Sequence, residues 1–418
     1  VYRRIGFVLL AVGFGAAYAL VTPPFEVPDE AAHYLRATAA AYGNVIIQQQ
    51  VALPRAYRVA VWAMTSRLPT ARGVTLQNDD REPVPLAGIY LPAAYVPQIA
   101  TAAIGRAARV RPFFSFFAGR LAALLFAVAA VVFICRVAPR WASHFEAAAL
   151  LPMSLSLFAS WSADAMTIVA AFLVSALLLN AILSAAAPTR RECIAIVVAV
   201  AWLSLCKPPY ALLALLVLAV PRARRRFVAL VIIVAIAGTA VSAGMTMMEM
   251  ETTSLPHYRP IDTRTQLRFI AAHPIHFAAV IANDLRTNGR DYIASMAGRL
   301  GRYELNLPSW MTWLLLLMLL AAGATTGPPL PPRIRLLIAA VAAMICLATL
   351  TYLYLTSSIA GGDIIEGAQG RYLLPLLPLL MTTVRIRAIR VAVPAAALFA
   401  VAAAGNVTAI MVLRGHYW

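Results

Sequence analysis

The fold turns on one stretch: Ala87-Gly88-Ile89-Tyr90-Leu91-Pro92-Ala93-Ala94-Tyr95-Val96-Pro97-Gln98-Ile99-Ala100-Thr101-Ala102-Ala103-Ile104-Gly105. These 19 residues come close to the ~20 that a helix needs to cross a bilayer. Pro92 and Pro97 interrupt the stretch, and Pro85 precedes it. Proline removes a backbone donor and breaks a helix interior. If the stretch spans, every later loop changes side.

The surrounding chain frames the choice. Of 418 residues, 62% are hydrophobic and 12% charged, and the mean hydropathy is +0.78. Soluble domains are about a quarter charged, so this composition excludes an ordinary water-soluble globule. The net charge of +18 comes from 35 basic and 17 acidic residues scattered between apolar runs. That distribution fits a polytopic membrane protein and not a nucleic-acid binder. Of the basic residues, Lys207 is the single lysine. Cys135, Cys193, Cys206 and Cys346 lie in or beside apolar runs without metal-type spacing, so neither a disulfide framework nor a zinc site is expected.

About eleven apolar stretches read as membrane helices: 5–22, 113–135, 143–160, 163–186, 192–206, 208–220, 227–246, 308–323, 334–356, 371–383 and 390–412. Those at 192–206, 208–220 and 371–383 are short, as expected of proline-broken helices that end at a cavity inside the protein. Arg3 and Arg4 precede the first stretch and no small-residue cleavage site follows it, so it reads as a retained helix.

Arginine decides the topology, because short cytoplasmic loops are enriched in basic residues. If 87–105 does not cross, the inner side collects Arg3, Arg4, Arg136, Arg140, Arg190, Arg191, the cluster from Arg222 to Arg226, Arg333, Arg335, and the group from Arg385 to Arg390. These 15 arginines face two acids, Glu146 and Glu192. A spanning 87–105 scatters them to both sides. The non-spanning reading therefore stands, with two outer segments, 23–112 and 247–307, in one membrane domain over 1–418. Both are expected to carry juxtamembrane helices and no strands, giving an all-α fold.

The first outer segment opens with Pro23-Pro24-Phe25-Glu26-Val27-Pro28-Asp29-Glu30-Ala31-Ala32-His33-Tyr34-Leu35-Arg36. Pro28 suits a first helical position and acids favour a first turn; Gly43-Asn44 suits the end. Asp29, His33 and Arg36 then share a face, with Glu30 a quarter-turn away. A carboxylate and an imidazole one turn apart fit either a divalent cation (Mg or Mn, with Asp29, His33 and Asp164 as ligands) or orientation of a hydroxyl nucleophile. The plainer alternative is that the acids cap a surface helix and His33 is incidental. In this topology Asp164, Lys207 and Arg371 also reach the outer boundary, where ionisable groups are costly and usually functional. Their bland readings are helix capping, snorkelling and interfacial anchoring respectively. In 247–307, Arg264 to Arg302 reads as an amphipathic helix on the membrane, and Pro274 between His273 and His276 argues against a metal pair. Arg106, Arg109 and Arg111 suit lipid headgroups.

The Pro28-Asp29-Glu30-Ala31-Ala32-His33 string resembles the hallmark of a family of bacterial multi-spanning proteins built on a domain of unknown function. Further matches to that family run from Ser160 to Ala165, Lys207 to Tyr210, Gly298 to Gly301, Leu307 to Trp310, and Glu366 to Pro375. The family is itself similar to GT-C glycosyltransferases, which use polyprenyl-phosphate sugars. In those enzymes the first outer loop holds a catalytic acid, and a second acid follows two membrane helices later. Asp29 and Asp164 match that order only if 87–105 does not span.

The resemblance implies an inverting glycosyltransferase of a bacterial cytoplasmic membrane, with its site facing the periplasm or cell exterior. Its partners would be a polyprenyl-phosphate-linked sugar, a cell-envelope glycan or lipid acceptor, and membrane lipids. Asp29 would be the base, with Glu30 or Asp164 orienting the acceptor. Lys207 and Arg371, with Tyr210 and Arg299, would hold the donor phosphate, where positive charge stabilises the leaving oxygen. His33, Gln369, Tyr372 and Arg302 would contact substrate. The sequence shows no large C-terminal soluble domain of the kind several GT-C enzymes use for their acceptor, so a lipid or growing glycan entering laterally is expected. The rival readings are a transporter or flippase of lipid-linked sugars and a non-catalytic envelope-assembly protein. A transporter usually shows repeated halves, and no repeat is visible here.

Overall fold

A computed structural model describes residues 2–46, 50–76, 80–85, 90–250, 262–386, 388–389 and 391–418. Among the described residues, six helices are long and apolar enough to cross a membrane: α1 (Tyr2–Val21), α5 (Pro112–Val137), α8 (Ala163–Leu183), α10 (Arg225–Met250), α14 (Pro332–Ser357) and α16 (Ala395–Tyr417). The expected count of eleven is not reached by length alone. Where 143–160 was expected as one span, the chain forms α6 (Ala142–Ala149) and α7 (Pro152–Phe158), because Pro152 can start a helix but not continue one. α9 (Arg190–Cys206) and α13 (Ser309–Thr325) are short apolar helices. The stretch after α9 is a 3-10 segment, Pro208–Ala219. The stretch at 371–383 is also broken, into a 3-10 turn (Gly370–Leu376), α15 (Leu377–Met381) and a second turn (Thr382–Val384). Prolines set these breaks, as the sequence leads one to expect.

The decisive stretch yields a 3-10 turn, Pro92–Tyr95, and α4 (Val96–Ala107); residues 87–89 lie outside the described residues. With 12 residues, α4 rises about 18 Å, well short of the ~30 Å hydrocarbon core. The rest of segment 23–112 holds α2 (Glu30–Ala41) and α3 (Arg55–Thr65). It also holds strands, which were not expected: β1 (Gln50–Pro54) pairs antiparallel with β2 (Arg81–Pro85). Their proximity is reinforced by Arg58, whose guanidinium grips Glu82. Segment 247–307 carries, among its described residues, α11 (Thr263–Ala272), α12 (Pro274–Gly298) and a short hairpin of β3 (Arg299–Leu300) with β4 (Leu305–Asn306).

The ends of the bundle differ in chemistry. At one, Arg3 pairs with Glu146 at 2.6 Å. There too Arg335 Nη2 donates to the Arg385 carbonyl at 2.9 Å, Arg385 Nη1 donates to that of Ala324 at 2.7 Å, and Arg222 reaches the Ala185 carbonyl. The opposite end carries α2 to α4, both two-stranded sheets, α11 and α12. Helix α8 runs between the ends as the core element, buried along nearly its whole length, with Phe172 within it and the buried Trp161 just before it.

Candidate anion and carboxylate site

Four charged side chains from four distant parts of the chain meet at the end opposite the Arg3–Glu146 pair. Helix α9 stops at Cys206 because Pro208 and Pro209 follow; Lys207 between them is extended (φ −147°, ψ 116°) and turns inward. Its ammonium pairs with Asp164 Oδ1, and each side chain is 8% exposed. Arg371 Nε faces Asp164 Oδ2 at 3.3 Å, while Arg371 Nη2 binds Asp29 Oδ2 at 2.9 Å. Arg371 is 4% exposed, and among the described residues its Nη1 has no hydrogen-bond partner. A buried guanidinium nitrogen left unpaired is costly, and here it stands in a site with a second buried cation. Such a pair suits an oxyanion: lysine as a point charge, arginine as a two-pronged donor.

The capping readings fail for both aspartates. Asp29 occupies the position before α2 in a left-handed conformation (φ 61°), and its side chain makes no capping bond. Its carboxylate reaches for Arg371 instead and remains 63% exposed. The helix starts two residues later than Pro28 would suggest, and Gly43 ends it as expected at φ 92°. The cap of α8 is Ser162, whose Oγ accepts from the Asp164 N–H at 3.1 Å, leaving the Asp164 carboxylate to the two cations. Loss of hydration pushes the Asp29 carboxyl up, but Arg371 and then His33 outweigh this and hold it below its ordinary range.

His33 lies beside the cluster, with Nδ1 2.6 Å from the Tyr95 hydroxyl. Burial, together with the Arg371 and Lys207 charges, outweighs the neighbouring carboxylates and lowers its pKa to about 4, so the imidazole is neutral near pH 7. Aromatic rings wall the site: the Lys207 ammonium lies 5.0 Å from the Tyr90 ring centroid and 4.7 Å from that of Tyr372. The Tyr210 hydroxyl donates to the Tyr372 carbonyl at 2.6 Å, so Tyr210 positions the Tyr372 turn from behind. Gly370, just before Arg371, lets this turn touch α12; a Cβ there would stand 2.1 Å from the Tyr292 carbonyl oxygen.

Other expected members are elsewhere. Glu30 does not face an acceptor. It is fully buried against Arg120, with Nη2–Oε2 at 2.6 Å and Nε–Oε1 at 2.8 Å, and accepts from the Phe25 and Trp161 backbone N–H groups at 2.9 and 3.1 Å. Arg120 also donates to the Ala19, Thr22 and Pro23 carbonyls. This pair ties the end of α1 and the start of α2 to the turn that leads to Asp164. Arg36 is turned back on its own helix end, donating to the Asn44 and Val45 carbonyls. Arg299 does not approach the cations; it forms a two-pronged pair with Asp291 at 2.8 and 2.5 Å. Arg302 holds the loop before Asp29 through Glu26 at 3.1 Å. Gln369 lines a neighbouring cavity, its Oε1 buried without a hydrogen-bond partner among the described residues.

The metal expectation does not fit. Among the described residues no group of three or more His, Cys, Asp or Glu side chains could hold a metal. Asp164 is occupied by two cations, and His33 Nδ1 is spent on Tyr95.

An apolar groove of about 920 Å³ lies next to this cluster, although none of the four charged residues lines it. It runs between the 3-10 segment Pro208–Ala219, α10 and α14, lined by Pro208, Leu212, Ile232, Ile236, Leu347 and Leu355 among others. Its head is Pro208-Pro209, the residues next to Lys207. The sequence signal for the groove is the proline pair itself, which forces the tight 3-10 segment and so leaves a trough between longer helices.

A family model described as "Predicted membrane protein (DUF2142)" matches residues 69–380. No curated protein and no solved structure matches the chain.

Proposed function

The chain belongs to the DUF2142 family of predicted membrane proteins, and from that premise we propose that it is a membrane glycosyltransferase that takes sugar from a polyprenyl-phosphate donor. The observation that carries this reading is an apolar groove headed by Pro208-Pro209, the residues that follow Lys207, beside two buried cations, one of which keeps a nitrogen unpaired. A polyprenyl phosphate has the matching parts, an extended hydrocarbon and a single anionic head. In this reading the prenyl chain lies along Leu212, Ile236 and Leu347, and the phosphate bridges Lys207 and Arg371.

Phosphate is already a competent leaving group, so the protein's contribution is positive charge at the departing oxygen. Asp164 cannot serve as base while both its oxygens hold cations; it positions Lys207 and Arg371. Asp29 is open to the acceptor and ionised. Phosphate binding to Arg371 draws the guanidinium away from Asp29 and frees that carboxylate. The acceptor hydroxyl gives its proton to Asp29 as its oxygen bonds to the anomeric carbon. The carbon–oxygen bond to phosphate breaks, its electron pair leaves with polyprenyl phosphate, and the anomeric centre inverts.

With the end that carries arginines and few acids cytoplasmic, the short and broken segments bring the passes to eleven, and the site opens on the outer face of a bacterial cytoplasmic membrane. The acceptor is an envelope lipid or glycan. A structure with bound polyprenyl phosphate tests the reading: phosphate density between Lys207 and Arg371 with the chain in the groove supports it, and density elsewhere overturns it.

A further inference from the structure

A second cavity, of about 510 Å³, opens on the other face of α14. Ile345, Thr349, Leu350 and Leu353 line it from α14, whereas Met344, Leu347, Ala348 and Thr351 of the same helix line the first groove. Its remaining walls are Leu285 to Ile293 of α12 and the turn from Ala368 to Leu376. The first cavity comes next to the charged cluster at Pro208, the residue after Lys207, and the second at Tyr372, the residue after Arg371. Tyr372 lines the second one and carries the ring beneath Lys207 and Arg371.

Three features say what the second cavity takes. Leu285 and Ile293 flank it and are half exposed, so it opens sideways and not only towards water. Arg286 and Arg290 line it, both exposed, and neither has an ion-pair partner among the described residues. The acids on the same helix are already engaged: Asp284 by the Tyr292 hydroxyl and Asn288, and Asp291 by Arg299. Gly289 stands between the two arginines inside α12. No atom lies within 4 Å of the place its Cβ would take, so packing does not demand a glycine there. Glycine weakens a helix interior; at this position its effect is to keep the cavity open.

We infer that this cavity holds the acceptor, and that the acceptor is a membrane lipid with an anionic headgroup: chains against Leu285, Ile293, Leu350 and Leu353, head against Arg286 and Arg290. This rests on the transferase reading for the word acceptor, but not for the binding of the lipid. Tyr372 and the unpaired Gln369 Oε1 line the cavity on the side of Arg371, and the amide oxygen would accept a hydrogen bond from a hydroxyl of the head.

Native mass spectrometry of the full chain from nanodiscs of mixed phosphatidylcholine and phosphatidylglycerol tests the binding. Wild type is expected to retain one more phosphatidylglycerol than the Arg286→Gln/Arg290→Gln variant, and one more lipid than Gly289→Trp. Equal retention in all three overturns the site. With donor supplied, Gly289→Trp is expected to cut sugar transfer to lipid at least tenfold while donor hydrolysis by water continues. Undiminished transfer to lipid overturns the acceptor assignment. If wild type neither transfers nor hydrolyses, the transferase reading has failed, and the retention result still stands or falls separately.

Discussion

Asp29 and Asp164 both stand at the start of a helix, yet only Asp29 has room for a substrate. Asp29→Asn keeps the shape and removes the base, so transfer is expected to fall about 10²–10⁴-fold with donor binding retained, as a single-turnover assay against donor retention would read. Asp164→Asn leaves Lys207 and Arg371 buried without their anchor. Breaking such a pair costs about 3–5 kcal/mol, so both donor binding and thermal stability should drop. His33 makes a pH prediction. Its folded pKa of about 4 lies below the ordinary 6.5, so the unfolded chain binds a proton that the folded chain refuses. Stability from this group is complete above pH 6.5 and is lost as pH falls towards 4, by roughly 3 kcal/mol. Unfolding temperatures across that window should decline in wild type and decline less in His33→Gln. The residue types of the site were legible because charge is rare here and proline flags a broken helix: Lys207, Asp164, Arg371 and Asp29 meet as four of the expected members. What was not legible was which oxygen each cation takes, and this removed Glu30 from the site. Its partner Arg120 lies 90 positions away, inside an apolar run whose local periodicity says nothing of a carboxylate arriving from another segment.

At the level of elements, two short connections position the charges. The Glu30–Arg120 pair sets the spacing between α2 and the turn into α8. Arg120→Met leaves a buried carboxylate unpaired and should destabilise by about 3–5 kcal/mol, whereas Glu30→Gln with Arg120→Met should recover part of the loss; denaturation of the single and double variants checks this. Gly370 is the second device. Gly370→Ala drives a methyl into the α12 backbone and should shift Arg371, weakening donor binding more than it lowers the unfolding temperature. The ends of α2 and α9 were readable from Gly43 and the Pro208-Pro209 pair, whereas the cap of α8 is Ser162 and not Asp164. The β1–β2 sheet was not, since its strands are short, carry Pro54, Pro83 and Pro85, and pair across intervening α3, so no hairpin turn announces them.

Over the whole molecule, the net positive excess and the candidate site occupy opposite ends. The end poor in acids is held by arginine contacts to helix-end carbonyls, and the opposite end carries the candidate site. A cysteine at Arg109, in a background lacking the native thiols, should react with an impermeant maleimide from outside the cell; labelling only after the inner face is opened would invert the topology and the site with it. Hydrophobic runs made the membrane class evident, but they overstated continuous spans, because composition records apolarity and not whether a helix survives its prolines. The grooves on either side of α14 had no sequence signature beyond those prolines. The central claim is transfer from a polyprenyl phosphate through Asp29, Lys207 and Arg371. The most direct measurement supplies purified protein with labelled polyprenyl-phosphate sugars and envelope lipids and follows release of polyprenyl phosphate together with the labelled product. The account predicts matched release and product in wild type, and about a hundredth of that rate or less in Asp29→Asn. Release that survives Asp29→Asn undiminished, or none with any donor, would contradict it.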